Sequence, residues 1–118
     1  MQKIYHLSTC DTCKRIIKEL EPSNAFVFQD IKNRHIDVKQ LEALKDLSGS
    51  YQALFSKRAR LYKERALKEQ TLSEEDYKSL ILEHYTFLKR PVIVNQEQIF
   101  IGNSKKVVAQ AKTSLQNK

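Results

Sequence analysis

The sequence contains little glycine, proline or cysteine, with two residues of each among 118. So few glycines and prolines exclude collagen-like, low-complexity and loop-dominated proteins. No apolar run approaches the roughly 20 residues that a membrane-spanning helix needs. The N-terminus enters a strand-like pattern directly, without the hydrophobic region of a signal peptide. We therefore expect a cytoplasmic protein that does not act at a membrane.

Length and composition indicate a small globular protein. The chain has a mass of 13.8 kDa, with 41% hydrophobic and 30% charged residues. A chain of this size can bury roughly two-thirds of the surface it exposes when unfolded, so it needs neither a metal ion nor a disulfide to fold. We expect a single domain over residues 1–118 and a monomer.

The charge is unbalanced, with 21 Lys and Arg against 14 Asp and Glu, which gives a net charge of +7. Residues 57–69 and the tail from residue 103 carry much of the excess. A basic surface favours anionic partners, whether oxyanions, acidic protein patches or nucleic acid. A solvated lysine-rich surface would give the same composition. No DNA-reading motif is apparent, so we expect no direct contact with nucleic acid.

The first third of the chain has the pattern of a strand–helix–strand unit. Alternation predicts a strand over 2–7, helical spacing predicts a helix over 11–20, and aromatic and β-branched residues predict a strand over 25–31. Ser8-Thr9 is typical of a helix start, which places Cys10 where the strand gives way to the helix. Such a unit has parallel strands joined by a right-handed crossover.

A helical insertion is predicted over about residues 37–86. Asp37 and Gln40 form a capping-box pattern, and a second capping box is predicted from Thr71 and Glu74. His84 falls on the apolar face of the last helix, where we expect a packed histidine with its hydrogen bonds satisfied. The predicted helices run from 37 to about 48–50, over 51–55, around 60–68 and over 72–84.

The last third of the chain predicts a hairpin and a helix. Strands over 91–94 and 98–101 are followed by a helix that starts at Gly102-Asn103-Ser104. The whole order is βαβ, helical insertion, ββα. We therefore predict an α/β fold of the thioredoxin-like type. It has a mixed four-stranded sheet with helices on both faces and the insertion between strands 2 and 3.

Both cysteines lie in Cys10-Asp11-Thr12-Cys13, at the start of the first predicted helix. A Cys-x-x-Cys motif beside a βαβ pattern is typical of thioredoxin-like redox proteins. The N–H groups and dipole of a helix N-terminus stabilise a thiolate, which is the nucleophilic form. Half of a zinc site is the alternative, but zinc needs two more ligands and the three histidines show no paired spacing. We predict no metal.

Other residues could support this site. The imidazolium of His6 could lower the pKa of Cys10, or His6 could be a strand histidine with a routine backbone hydrogen bond. Pro91 could be an ordinary trans proline at a strand start. In a thioredoxin-like fold it is cis and faces the cysteines, which would place Arg90 beside Cys10. There the guanidinium could stabilise the thiolate and hold an oxyanion or carboxylate.

The sequence resembles the arsenate reductase–Spx family of thioredoxin-fold proteins over nearly its whole length. The spacing of Arg-Pro and Ile-Gly near the end is more specific than the Cys-x-x-Cys motif alone. The resemblance rests on Tyr5-His6-Leu7-Ser8-Thr9-Cys10, Phe55-Ser56-Lys57-Arg58, Leu88-Lys89-Arg90-Pro91-Val92-Ile93-Val94 and Phe100-Ile101-Gly102-Asn103.

The resemblance to glutaredoxin-coupled arsenate reductases implies a catalytic role for the cysteines. Those enzymes use one nucleophilic cysteine, a histidine four residues earlier, and three arginines that bind the oxyanion. Cys10, His6 and Arg90 match that pattern. Ser56 and Gly102 occupy the positions of the other two arginines, and Arg58 is a partial substitute.

The Spx-like regulators are the other branch of the family. Ser56-Lys57-Arg58 and Ile101-Gly102 are similar to the pattern of that branch. Resemblance to it implies a redox-sensing regulator that binds the RNA polymerase alpha subunit, with the dithiol as its switch.

The sequence as a whole favours an enzyme. We predict a thiol-disulfide oxidoreductase in which Cys10 is the nucleophile, Cys13 resolves the mixed disulfide, and Arg90 acts with them. His6, Arg58 and Pro91 are predicted to support oxyanion binding. The resemblance implies glutathione with glutaredoxin, or thioredoxin, as reductant, arsenate or another compound as substrate, and no bound cofactor. The alternative is the Spx-like regulator.

Overall fold

The computed structural model describes residues 1–116, and over these residues the chain has four strands and five α-helices. Short 3-10 helices at Gln52–Leu54, Leu67–Glu69 and Tyr85–Phe87 connect some of them. The elements in chain order are β1 (Gln2–His6), α1 (Asp11–Leu20), β2 (Val27–Asp30), α2 (Val38–Ser48), α3 (Arg60–Glu64), α4 (Glu74–Glu83), β3 (Val92–Asn95), β4 (Gln98–Ile101) and α5 (Lys105–Gln116).

The chain forms two compact units. The first, here called the sheet unit, contains residues 1–34 and the chain from residue 90 onward. The second, the helical unit, is His35–Lys89 and corresponds to the insertion predicted at about 37–86. The description of residues 1–118 as a single domain stays a prediction. None of the helices in the described part of the chain is long and apolar enough to cross a membrane.

The sheet has the strand order β2-β1-β3-β4. β1 and β2 are parallel, with Ile4 opposite Phe28, as the strand–helix–strand pattern predicts. β3 runs antiparallel to both β1 and β4, so that Ile93 lies between Ile4 and Phe100. The mixed four-stranded sheet confirms the predicted thioredoxin-like fold class.

One face of the sheet packs against α1 and α5. Helical spacing places Ile16 and Leu20 of α1, and Val108 and Ala111 of α5, on the faces that become buried. Burial of an aliphatic side chain of this size contributes roughly 1.5–3 kcal/mol. The buried cluster consists of Ile4, Ile16, Leu20, Phe26, Ile93, Val108 and Ala111. The neighbouring strand residues Tyr5, Val92 and Val94, which point to the opposite face, are also buried.

An aromatic cluster around Phe55 lies in the core of the helical unit. The Phe55 ring stacks on Phe87 with 5.3 Å between ring centroids. Tyr77 and Tyr62 contact the same ring at 4.9 Å and 5.9 Å. The segment before Phe55 pairs with the segment before Arg90, because the N–H of Lys89 donates to the carbonyl of Leu54 at 2.8 Å.

Two predicted helix termini in the helical unit have different outcomes. The Asp37 capping box is confirmed: its carboxylate accepts from the N–H of Gln40 and the Gln40 side chain accepts from the N–H of Asp37. The capping box predicted from Thr71 and Glu74 is wrong. The cap is Ser73, paired with Asp76, so α4 begins at Glu74, two residues later than predicted.

His84 also departs from the prediction. α4 ends at Glu83, and the extended backbone of His84 starts the next 3-10 helix rather than continuing the apolar face of α4. Its Nδ1 accepts from the N–H of Thr86 at 3.0 Å. The ring is therefore half-buried and hydrogen-bonded, as expected, but at a helix terminus.

Candidate active site

The site is built on the turn that joins β1 to α1. The N–H of Cys10 donates to the carbonyl of Leu7 at 3.0 Å, which closes the turn. Cys10 has an extended backbone and is the N-cap residue of α1, which covers Asp11–Leu20 as predicted. The side chain of Cys10 makes no standard N-cap hydrogen bond. Its sulfur nevertheless lies at the N-terminus of α1, where the first N–H groups lack helical partners.

The two cysteines are free in this structure and differ in burial. Cys10 is half-buried, whereas the side chain of Cys13 is 0% exposed in the interior of the sheet unit. A hydrogen bond joins their side chains, with the thiol of Cys13 stabilising the thiolate form of Cys10. The pair therefore has one sulfur that a substrate can reach and one that it cannot.

The surroundings of Cys10 favour its thiolate. Partial burial is the largest single influence and raises the pKa of this thiol. The N–H and thiol of Cys13, the N–H of Thr12 and the charge of Arg90 act against it, and together they bring the pKa of Cys10 below its ordinary value. These are the helix-terminus and cation effects known to activate cysteines.

The surroundings of Cys13 have the opposite effect. Burial is the main cause and raises the pKa of this thiol to about 11. The negative charge of Cys10 raises it further, while the N–H of Leu7 and the charge of Arg90 lower it in part. At neutral pH Cys13 is therefore a thiol that donates to Cys10.

Arg90 and Pro91 lead into β3 from the end of the helical unit. The peptide bond between them is cis, which is the second of the two alternatives left open by the sequence. Pro91 is buried, and its carbonyl accepts from the N–H of Gly102 at 2.9 Å. Arg90 is half-buried, and its charge lowers the pKa of both cysteines.

The surroundings of His6 affect its protonation in two opposite ways. Burial lowers the pKa of His6 more than neighbouring Asp30 raises it, so the neutral imidazole is favoured. Only the imidazolium would stabilise a thiolate by its charge. The ring packs edge to face on Phe28 at 5.6 Å, and the backbone carbonyl accepts from the N–H of Ile31 at 2.8 Å. The predicted part of His6 in activating Cys10 and in binding an oxyanion stays a prediction.

Arg58 lies in an exposed turn of the helical unit, just before α3. Its predicted part in oxyanion binding stays a prediction. Among residues 1–116, no three His, Cys, Asp or Glu side chains form a group that could hold a metal ion.

Residues 5–111 match the model of the ArsC family, which is most of the chain. The protein belongs to the ArsC family. This confirms the family resemblance of the sequence. No curated protein matches the chain.

Solved structures similar to this ArsC-family chain cover it almost completely. An ArsC-family-related protein from Bacteroides fragilis has a TM-score of 0.78 at 24% identity, covering 93% of this chain and 96% of its own. An arsenate reductase from Vibrio cholerae has a TM-score of 0.75 at 24% identity, covering 93% of this chain and 98% of its own. A Staphylococcus aureus protein has a TM-score of 0.75 at 25% identity, covering 93% of this chain and 97% of its own. These likenesses support the fold.

Asp30 contacts the turn of this ArsC-family site and was not among the site residues predicted from the sequence. Its carboxylate accepts from both the N–H and the hydroxyl of Ser8, in the turn that carries Cys10. The available signal was its position at the end of the second parallel strand, because the carboxyl ends of parallel strands meet at one edge of a sheet.

Proposed function

We propose that this protein is a thiol-disulfide oxidoreductase in which Cys10 attacks the substrate and Cys13 resolves the intermediate. The single observation that carries the proposal is the opposite shift of two hydrogen-bonded thiols at one helix N-terminus. The accessible thiol has a lowered pKa and the buried thiol a raised one. Membership of the ArsC family supports the same chemistry.

On a disulfide substrate, the reaction has two exchange steps. The thiolate of Cys10 attacks one sulfur, forming a mixed disulfide and releasing the other sulfur as a thiolate. Cys13 loses its proton and attacks the sulfur of Cys10, forming the Cys10–Cys13 disulfide and releasing the second thiolate. Two electrons pass from the protein to the substrate.

Arsenate is the substrate that the family suggests. The Cys10 thiolate would form a bond to arsenic(V) with loss of an oxygen as water. Attack of Cys13 on the Cys10 sulfur would then form the disulfide and leave the electron pair on arsenic, which departs as arsenic(III). The Arg90 guanidinium offers paired donors of the kind that bind oxyanions.

The resolving step is activated by the attacking step. In the reduced protein the charge of Cys10 raises the pKa of Cys13 and so delays its ionisation. Once Cys10 is bonded to substrate, it carries no charge and this influence disappears. Cys13 thus becomes easier to ionise at the stage when its thiolate is needed.

The oxidised protein needs a reductant to turn over. Glutathione with glutaredoxin, or thioredoxin, supplies two electrons by the same exchange in reverse, and we propose one of these as the partner. A half-buried Cys10 sulfur is the accessible end of the disulfide for such an attack.

Single-cysteine variants test this function. Cys13→Ser should accumulate a mixed disulfide with a disulfide substrate, Cys10→Ser should form none, and the wild type should release the product thiol. Mass spectrometry of the intact protein measures all three. Equal adduct formation by both variants would refute the assigned roles.

A coupled assay tests arsenate as the substrate. Arsenate, glutathione, glutaredoxin and NADPH with its reductase should give NADPH consumption that depends on Cys10. Consumption no faster than with Cys10→Ser would remove arsenate while leaving the disulfide reaction open to the trapping experiment.

A second candidate function is a redox-gated regulator that binds an acidic partner such as the RNA polymerase alpha subunit. The observation that favours it is the exposure of the basic side chains of the helical unit: Lys57, Arg58, Arg60, Lys63, Arg65 and Lys68. A switch requires different affinities in its two states. Calorimetry of the oxidised and reduced protein with the alpha subunit's C-terminal domain should show that difference in affinity. Equal affinities, or no heat in either state, would eliminate this candidate.

A further inference from the structure

Asp30 joins the loops that follow the two parallel strands. It lies opposite His6 in the register of β1 and β2. Oδ1 accepts from the N–H of Ser8 at 3.4 Å and from the N–H of Lys32 at 3.2 Å. Oδ2 accepts from the hydroxyl of Ser8 and from Nδ2 of Asn33, the latter at 3.1 Å. One carboxylate therefore receives hydrogen bonds from both loops.

Ser8 is the point at which Asp30 reaches the site. It lies inside the turn closed by the hydrogen bond from Cys10 to Leu7, two residues before the nucleophile. Both its backbone N–H and its hydroxyl are directed at the same carboxylate. The hydroxyl is the main reason that the pKa of Asp30 is lowered, so the acceptor is the charged carboxylate at neutral pH.

We propose that Asp30 is a positioning residue, which holds the turn through Ser8 so that the first N–H groups of α1 face the sulfur of Cys10. This inference rests on the proposed function, because it concerns how the nucleophile is activated. Asp30 does not touch the reacting sulfur. It acts through the backbone that carries Cys10.

The sign of the effect separates positioning from direct electrostatics. The negative charge of Asp30 by itself opposes a second negative charge on Cys10, so its removal would lower the pKa of Cys10. Loss of positioning has the opposite effect, since the N–H groups of Thr12 and Cys13 would no longer face the sulfur. The two roles therefore predict shifts in opposite directions.

The test is the pH profile of Cys10 alkylation in the full-length reduced protein, followed site by site by mass spectrometry. Asp30→Ala should raise the pKa of Cys10 by about half a unit to one unit, which lowers the thiolate fraction at neutral pH about threefold to tenfold. Asp30→Asn keeps an oxygen acceptor for Ser8 without the charge. In this variant the pKa of Cys10 should stay at or below its wild-type value.

Two further variants keep the test decisive. Ser8→Ala removes one of the two bonds and should give a smaller rise, and it takes the place of Asp30→Ala if that variant fails to fold. Asp46→Ala removes the same charge from an exposed position on α2 and should leave the profile unchanged. An unchanged or lowered pKa in Asp30→Ala, or in Ser8→Ala if it substitutes, would overturn the proposal.

Failure of this inference differs from failure of the proposed function. If the wild-type Cys10 itself titrates as an ordinary cysteine, the proposed function fails. If the wild-type pKa is low and Asp30→Ala leaves it low, only the positioning role fails.

Discussion

At the scale of single residues, the two cysteines show how position changes the chemistry of one side chain. Cys10 lies at the helix terminus and Cys13 one turn further into the interior. Hydrogen bonds from N–H groups and from the thiol of Cys13, together with a cation, outweigh partial burial and favour the thiolate of the first. Burial and the neighbouring charge disfavour the thiolate of the second. In the proposed mechanism, this difference suits Cys10 to act as the nucleophile and Cys13 as the resolving thiol.

The cationic contribution of Arg90 to this difference is testable. Arg90→Ala should raise the pKa of Cys10, because a charge that favours the thiolate is lost. Arg90→Lys keeps the charge and should shift the pKa of Cys10 less. The alkylation profile measures both, with Arg60→Ala on exposed α3 as the control for net charge. Identical profiles for the Arg90→Ala and Arg60→Ala variants would exclude the contribution.

The raised pKa of Cys13 predicts how stability depends on pH. The unfolded chain ionises this thiol near pH 8.5, whereas the folded protein retains the proton up to about 11. Ionisation of the unfolded state alone favours unfolding, so the free energy of unfolding should fall as the pH rises through this window.

Urea unfolding of the reduced protein at about pH 8 and about pH 10 measures this effect. Over this pH range the free energy of unfolding should fall by roughly 1–2 kcal/mol more in the wild type than in Cys13→Ala. Equal losses would show that the folded and unfolded states bind this proton with the same affinity.

The sequence could predict where the candidate site residues lie but not all of their surroundings. Cys10, Cys13 and Arg90 were predictable because a motif and its place in the βαβ pattern determine which elements carry them. The role of His6 depends on its burial and on Asp30, which no local pattern reveals. Asp30 itself acts through a contact across 22 positions of the chain, beyond the reach of spacing arguments.

At the scale of elements, helix starts were harder to predict than helices. Two capping patterns overlap before α4, one beginning at Thr71 and one at Ser73. The structure uses the second, since the carboxylate of Glu74 accepts instead from the N–H groups of Tyr51 and Gln52. Tertiary contact, not local propensity, thus decides between the two caps.

Alanine variants of the two candidate caps should differ in stability. Ser73→Ala removes the acceptor for the N–H of Asp76 and should lower the free energy of unfolding by about 1 kcal/mol. Thr71→Ala changes an exposed residue outside the helix and should have little effect. Thermal or urea unfolding gives both values, and a larger loss from Thr71→Ala would reverse the assignment.

The second strand shows a similar limit at its boundary. Residues 25–31 have a strand-like composition, but β2 covers only Val27–Asp30. The N–H of Phe26 donates to the carbonyl of Ser23, and the N–H of Ala25 donates to the Ser23 side chain. These turn hydrogen bonds delay the start of the strand.

At the scale of the whole molecule, the order of elements predicted the topology. A βαβ unit followed by a ββα unit has few chain paths once crossovers are right-handed and hairpins are antiparallel. The strand order β2-β1-β3-β4 satisfies both conditions. Division of the chain into a sheet unit and a helical unit was visible in the sequence only as a change from mixed to helical periodicity.

The surface and charge predict a monomer. Large hydrophobic side chains exposed in residues 1–116 are few: Met1, Val27, Phe28 and Val38. A net charge of +7 also opposes self-association. Sedimentation equilibrium should give a mass near 13.8 kDa for the reduced protein. A mass of about twice this value, stable on dilution, would show a dimer.

The central claim is that Cys10 and Cys13 are an asymmetric redox pair, and site-resolved alkylation of the reduced wild-type protein tests it most directly. Iodoacetamide labelling of each cysteine is followed by mass spectrometry from about pH 5 to about pH 11, on either side of the ordinary thiol pKa. We predict that Cys10 reacts with a midpoint below that of an ordinary thiol and that Cys13 stays protected until much higher pH. If both cysteines titrate together near the ordinary value, or if Cys13 reacts first, the account is wrong.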